Sequence, residues 1–193
     1  RNQYPIIEMM RVANHLTVTT PLLAGALKIY ADSISVCPNY HAVDAVNIAN
    51  VSRGGVVHLI VAASDKIRVD FIAEALVLAK SSFEDRVRIV AVGPIADALR
   101  KMGVVCEKRE IIPHERFLSE LCQYENPVGI IPLDDSNFSA CKSPVKYFDY
   151  AVSGIAVIAS NVSPYKEVIE DGRTGLLVGN STNEWFTAIE LVV

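Results

Sequence analysis

Two lysines and an aspartate between positions 142 and 149 could together bind a phosphorylated ligand. Lys142 and Lys146 are four residues apart at the start of a predicted helix, a spacing that places them on one face. The N–H groups at a helix N-terminus already attract anions. Asp149 follows within the next turn, and a carboxylate accepts hydrogen bonds from vicinal hydroxyls. The pattern suits a nucleoside diphosphate, but by residue type alone a solvated helix face, with Asp149 paired to a lysine, is the more common arrangement.

The residues after the lysines predict the elements that would position them. The helix ends at Gly154, because glycine readily takes the left-handed backbone found after a helix. The continuous apolar run Ile155–Ala159 is typical of a parallel strand covered on both faces. Ser163-Pro164 predicts the start of a short helix by a serine cap and a first-turn proline. Leu176–Val178 predicts the next strand.

Predicted strands and helices also alternate upstream of this segment. The predicted strands are Val56–Ala62, Val87–Val92, Val104–Lys108 and Val128–Leu133. This alternation predicts an α/β fold, with a Rossmann-like parallel sheet and helices on both faces. Ligands of such sheets bind at the carboxyl ends of the strands. We therefore expect the site among the loops 63–68, 93–95 and 134–146.

Three stretches of the sequence carry a family resemblance. They read K-S-P-V-K-Y-F-D-Y-A from 142, G-I-A-V-I-A-S from 154 and E-V-I-E-D-G-R-T-G-L-L-V from 167. Together they resemble the C-terminal domain of GT-B glycosyltransferases of group 1, the GT4-like family. The resemblance implies a nucleotide-sugar-binding domain at residues 51–193. It also implies that residues 1–50 are the end of the N-terminal GT-B domain and the interdomain linker.

The resemblance also implies roles for individual residues. Basic side chains neutralise the diphosphate leaving group in this family, and a carboxylate at the position of Asp149 holds the ribose. Lys66 and Lys146 are then the catalytic cations, with Arg68 as the alternate to Lys66. The implied donor-binding residues are Ser64, Lys66, Arg68, Gly93, Lys142, Ser143, Lys146 and Asp149. For residues 63–68 and Gly93, an ordinary turn is the other interpretation.

Three positions depart from the family pattern. Asp149 is one methylene shorter than the family's glutamate, Cys141 stands where an acidic residue is common, and Ser139 replaces an asparagine. These departures leave the donor sugar open and bear on whether the chain transfers a sugar. His114 has no partner visible in the sequence and is expected to be a solvated residue at a helix start.

Composition narrows the class of protein. The net charge of −4 predicts no general attraction to nucleic acid, so an anion site must be local. The sequence contains no G-x-G-x-x-G, which disfavours a dinucleotide dehydrogenase. We expect a cytoplasmic protein with reduced cysteines, because no stretch is typical of a signal peptide or a membrane span. Since the chain begins at Arg1 without Met, we expect a longer parent protein.

The predicted function is sugar transfer from a nucleotide sugar to a hydroxyl during synthesis of a polysaccharide, glycan or glycolipid. The resemblance implies a retaining reaction without metal or cofactor, the nucleotide sugar being the substrate. The expected partner is a glycan or lipid-linked acceptor, and the N-terminal domain leaves peripheral membrane association open. The alternatives are a non-catalytic GT-B-like protein that binds a nucleotide sugar or a partner, and a GT-B-fold sugar epimerase.

Overall fold

The computed structural model describes residues 4–40, 49, 51–52, 54–63 and 70–193. Residues 41–48 and 50, in the last part of the predicted segment 1–50, therefore lie outside the described residues. The described strands are β1 Leu16–Val18, β2 Ile34–Val36, β3 Val57–Ala62, β4 Val87–Val92, β5 Glu107–Arg109, β6 Pro127–Ile131, β7 Ala156–Ser160 and β8 Leu176–Val178. The described α-helices are α1 Tyr4–Val12, α2 Pro21–Leu27, α3 Asp70–Phe83, α4 Ile95–Lys101, α5 His114–Leu121, α6 Asn137–Ala140, α7 Val145–Val152 and α8 Thr182–Val192.

Six of the strands form one parallel sheet in the order β5-β4-β3-β6-β7-β8. The two halves of the sheet extend in opposite directions from the neighbours β3 and β6. Helices connect successive strands, because parallel strands need a long crossover. The predicted Rossmann-like α/β fold is confirmed, and its topological switch point lies between β3 and β6.

The core occupies both faces of this sheet. Along β3, Leu59 and Val61 pack towards α3, α4 and α8, whereas Ile60 packs towards α5 and α7. All three side chains are fully buried. Burial of apolar side chains on both faces explains the continuous apolar runs of the central strands.

A second, small sheet is formed by the first part of the chain. β1 pairs in parallel with β2, and α2 connects them. Thr20 caps α2, because its hydroxyl accepts a hydrogen bond from the Leu23 N–H at 3.2 Å, and Pro21 is the first helical residue.

Two local predictions are wrong. Helix α7 begins at Val145, so Lys142 precedes the helix and does not share a helical face with Lys146. After Ser163-Pro164 the chain forms only a short 3-10 helix, Tyr165–Glu167, without a side-chain cap. Ser163 instead donates its hydroxyl proton to the Glu167 carboxylate at 2.8 Å.

Tyr150 packs helix α7 against the sheet. Its ring lies over Gly129 of β6, where an added Cβ would be 2.6 Å from the ring atom Cδ2. The tyrosine hydroxyl donates to the Ile60 carbonyl of β3 at 3.3 Å. The side chain is 2% exposed, so α7 is held against β3 and β6 at the switch point.

The Gly129→Ala substitution tests this packing contact between Tyr150 and Gly129. Because the ring is buried and closely packed, we expect the new methyl group to lower the free energy of unfolding by about 1–3 kcal/mol. Urea unfolding measures this difference. In a Tyr150→Leu background the same substitution has more room and is expected to cost less; an equal cost in both backgrounds would contradict the packing argument.

Candidate functional site

A cavity of about 230 Å³ opens at the carboxyl ends of β3 and β4. Its walls are the ends of these two strands, the segment between β5 and α5, and α7. The apolar part of its lining is formed by Val92, Ile111, Ile112 and Phe117. Its polar side chains are His114, Lys146 and Asp149. The cavity lies beside the topological switch point, where open α/β sheets bind their ligands.

Lys146 joins α7 to the end of β3. It is the second residue of the helix, and its Nζ donates a hydrogen bond to the carbonyl of Ala62. This contact spans 84 positions of the sequence. It places a positive charge where the β3 strand ends and the loop 63–68 begins.

Asp149 lies on the same helix and is buried, with 7% of its surface exposed. Its Oδ1 is 2.8 Å from Nε2 of His114, the first residue of α5. This contact was not predicted from the sequence, in which His114 fits a solvated helix start. The available signal was the position of His114, which follows the carboxyl end of β5 in a parallel sheet.

Two buried tyrosines lie near the Asp149 carboxylate. Burial, and then the nearby charge of Asp149, raises the pKa of Tyr165 above its usual value. The same two causes raise the pKa of Tyr150. Both phenols are therefore harder to ionise than a solvated tyrosine.

Lys142 is placed differently from Lys146. Its Nζ lies 5.1 Å from the centroid of the Phe138 ring, in the turn that follows α6. Hydrogen bonds from Ser136, and then from Ser139, lower the pKa of the neighbouring Asp134, to which Lys142 adds a weaker effect. Lys142 is not among the described residues that line this cavity. Lys142 and Lys146, which were predicted to share one helical face, therefore lie at different places.

Ser143 lines a second cavity of about 470 Å³. This cavity lies between the small sheet, the turn before α7 and the 3-10 helix Tyr165–Glu167. Its polar lining consists of Thr19, Thr20, Asn39, Ser143, Ser163 and Glu167. Hydroxyl and amide groups therefore dominate the polar lining. The two cavities lie on either side of the first turn of α7.

Gly93 ends β4 with a positive φ of 87°. A Cβ there would lie 2.6 Å from the carbonyl oxygen of Ala63, so the close approach of two strand ends requires glycine. Its predicted role in ligand approach stays a prediction. Ser64, Lys66 and Arg68 lie outside the described residues.

Two side-chain hydrogen bonds connect the small sheet to the turn before α7. Thr20 Oγ1 donates to the Cys141 carbonyl at 3.0 Å, and Asn39 Nδ2 donates to Ser143 Oγ at 2.9 Å. The backbone N–H of Ala49 also donates to the carbonyl of Ser153, just after α7, at 2.9 Å. The first part of the chain is therefore bonded to both ends of the segment that carries Lys146 and Asp149.

Solved structures similar to this chain share its fold. Sucrose-phosphate synthase from Thermosynechococcus elongatus matches with a TM-score of 0.65 at 17% identity, over 100% of this chain and 53% of that protein. HepE from Anabaena, in complex with UDP-glucose, matches with a TM-score of 0.63 at 11% identity, over 97% of this chain and 56% of HepE. S. aureus TarM, in a complex that includes UDP, matches with a TM-score of 0.62 at 15% identity, over 97% of this chain and 39% of TarM.

These matches show that the chain has the GT-B glycosyltransferase fold, its large sheet corresponding to the C-terminal domain. The chain spans about half the length of the first of these proteins, or less for TarM. No protein-family model and no curated protein sequence matches it. In the described part of the chain, no helix has the length and apolar character needed to cross a bilayer. Those same residues contain no metal-binding group of three or more His, Cys, Asp or Glu side chains.

The Thr20→Val substitution tests the connection between the small sheet and the turn. Valine keeps the shape but neither accepts from Leu23 nor donates to Cys141, so we expect a loss of about 1–2 kcal/mol in the free energy of unfolding. Urea unfolding measures the loss, and hydrogen exchange locates it in α2. Thr19→Val is the matched control. Equal losses for both variants would show that the hydroxyl contacts of Thr20 contribute nothing specific.

Proposed function

We propose that this protein is a glycosyltransferase that moves a sugar from a nucleoside-diphosphate sugar to an acceptor hydroxyl. The observation that carries this proposal is the cavity at the switch point of a GT-B fold, where Lys146 and the buried Asp149 lie one helical turn apart. A cation suits the diphosphate and a carboxylate suits the ribose hydroxyls. The apolar wall suits the flat face of a nucleobase.

The two cavities suggest how such a donor would lie. The nucleoside would occupy the cavity lined by Asp149, and the sugar would reach the cavity lined by Ser143. The diphosphate would then cross the first turn of α7, where the helix dipole and Lys146 both favour negative charge. The hydroxyls and amide around the second cavity match the hydrogen-bonding groups of a neutral sugar.

In the proposed reaction, the bond between the anomeric carbon and the β-phosphate oxygen breaks, and its electron pair leaves with the nucleoside diphosphate. The acceptor oxygen bonds to the anomeric carbon and transfers its proton to the departing diphosphate oxygen. Lys146 would stabilise the charge that develops on the diphosphate. Lys66, or alternatively Arg68, would do so from the loop after β3, and Lys142 from the turn before α7. Ser64 and Gly93 would contribute to donor binding.

The wider setting of this reaction is also part of the proposal. We assign residues 51–193 to donor binding and residues 1–50 to the end of the acceptor-binding domain and its linker. The resemblance of the sequence supports a retaining, metal-independent reaction, since protein cations would neutralise the leaving group. It further supports a cytoplasmic role in the synthesis of a polysaccharide, glycan or glycolipid, with a glycan or lipid-linked acceptor.

A second candidate is a protein that binds the nucleotide sugar without transferring it. The observation that favours it is at Cys141, where the family commonly has an acidic residue. Cys141 carries no carboxylate, and its backbone carbonyl accepts the hydrogen bond from Thr20. An assay of donor hydrolysis and transfer separates the candidates, because binding without turnover supports the second.

The proposal is tested first by thermal-shift measurements with UDP, GDP, ADP and dTDP. We expect at least one diphosphate to raise the melting temperature at millimolar concentration, because a ligand that binds only the folded state stabilises it. If none of the four shifts the melting temperature of the folded protein, the donor-site assignment is wrong.

Lys146→Met tests the phosphate role of the lysine. Methionine keeps most of the aliphatic stem but removes the charge, so we expect diphosphate affinity to fall about 10- to 100-fold, the value of a charge-assisted hydrogen bond. Isothermal titration calorimetry compares the nucleoside diphosphate with its nucleoside, whose affinity is expected to change little. The control is Lys101→Met, an exposed lysine in the last turn of α4. Equal weakening of nucleoside and diphosphate would count against the assigned role.

A further inference from the structure

We infer that His114 is a positioning residue, which orients the Asp149 carboxylate so that the site distinguishes ribose from deoxyribose. This inference rests on the proposed function, because it concerns the nucleoside half of the same donor. Neither the sequence nor the similarity to solved structures assigns a role to His114. The assignment comes from the contact between two helices that approach the cavity from different sides.

The burial of the two side chains is unequal. The Asp149 side chain is 10% exposed, whereas the His114 side chain is 52% exposed. A carboxylate at such a depth requires hydrogen-bond donors, because an unsatisfied buried charge is costly. The His114 Nε2–H, at the start of α5, is one such donor, 2.8 Å from the carboxylate oxygen. The carboxylate is thereby held in one orientation instead of rotating about its χ2 bond.

The surroundings of the pair make that orientation matter to a ligand. Asp149 also interacts electrostatically with the buried phenols of Tyr150 and Tyr165. His114 contacts its carboxylate from α5, a helix that also lines the cavity. An aspartate reaches less far than a glutamate, so a small rotation of the carboxylate would lose a hydroxyl of the ribose. A fixed acceptor can reject an analogue that lacks this hydroxyl.

The ring of His114 also limits where the ligand can lie. His114 is the first residue of α5, directly after Pro113, and Phe117 of the same helix lines the cavity one turn later. The apolar Ile111 and Ile112 precede it. The base would therefore contact the apolar part of this wall, and the ribose the part where the imidazole and the carboxylate meet.

The test compares wild type, His114→Ala and His114→Gln. Calorimetry measures the affinities of whichever of UDP, GDP and ADP binds best and of its 2′-deoxy analogue. We expect wild type to prefer the ribonucleotide. In His114→Ala the ratio of ribonucleotide to deoxynucleotide affinity should fall about three- to tenfold, the effect of one hydrogen bond. The affinity for the deoxy analogue should stay within about twofold. Glutamine carries an amide nitrogen near the place of Nε2 and should restore most of the preference.

Several results would overturn the inference. Equal weakening of ribonucleotide and deoxynucleotide would show that His114 only supports the shape of the cavity. If His114→Ala leaves the preference for ribonucleotide unchanged, or if wild type binds dTDP most tightly, then His114 does not orient Asp149 for recognition of the ribose hydroxyl. A stronger preference in His114→Ala would show that the histidine competes with ribose. Wild type that binds no nucleotide at all would instead refute the proposed function, and with it this inference.

Discussion

The candidate site depends on one packing contact, between the ring of Tyr150 and the bare backbone of Gly129. Helix α7 carries Lys146 and Asp149, and this contact fixes its height above β6 while the tyrosine hydroxyl bonds to β3. The two strands are neighbours at the switch point of the sheet. Because the ring is buried, α7 cannot slide along the sheet without opening the core. The charged side chains are thus positioned by apolar packing.

This arrangement is consistent with the proposed anion site in a chain whose net charge is −4. Lys146 lies at the end of β3, and the N-terminus of α7 adds its dipole to the same place. Low polarity around the cavity strengthens such local interactions relative to those in water. The carboxylate of Asp149 lies one turn deeper, where His114 and the tyrosines surround it. Charges of opposite sign therefore occupy separate parts of one cavity.

Periodicity and chain order were sufficient to predict the large sheet, because continuous apolar runs such as Ile155–Ala159 indicate parallel strands covered on both faces. The prediction of α7 began too early, because the spacing of Lys142 and Lys146 fits one helical face. Ser143-Pro144 was the available signal for the later start, since proline disfavours helical backbone in the residue before it, and the turn after α6 separates the two lysines. The position of His114 after β5 indicates the edge of the sheet where ligands bind, but its contact with Asp149 could not be predicted. The contact joins residues 35 positions apart on two different helices, and no local pattern records that distance.

The central claim is that a nucleoside diphosphate binds at the carboxyl ends of β3 and β4 against α7. NMR chemical-shift mapping with UDP, one of the four proposed diphosphates, tests it most directly. The account predicts that the largest shifts cluster at Ala63, Val92, His114, Lys146 and Asp149. Saturable shifts confined to another surface, such as the groove between β8 and α8, would contradict it.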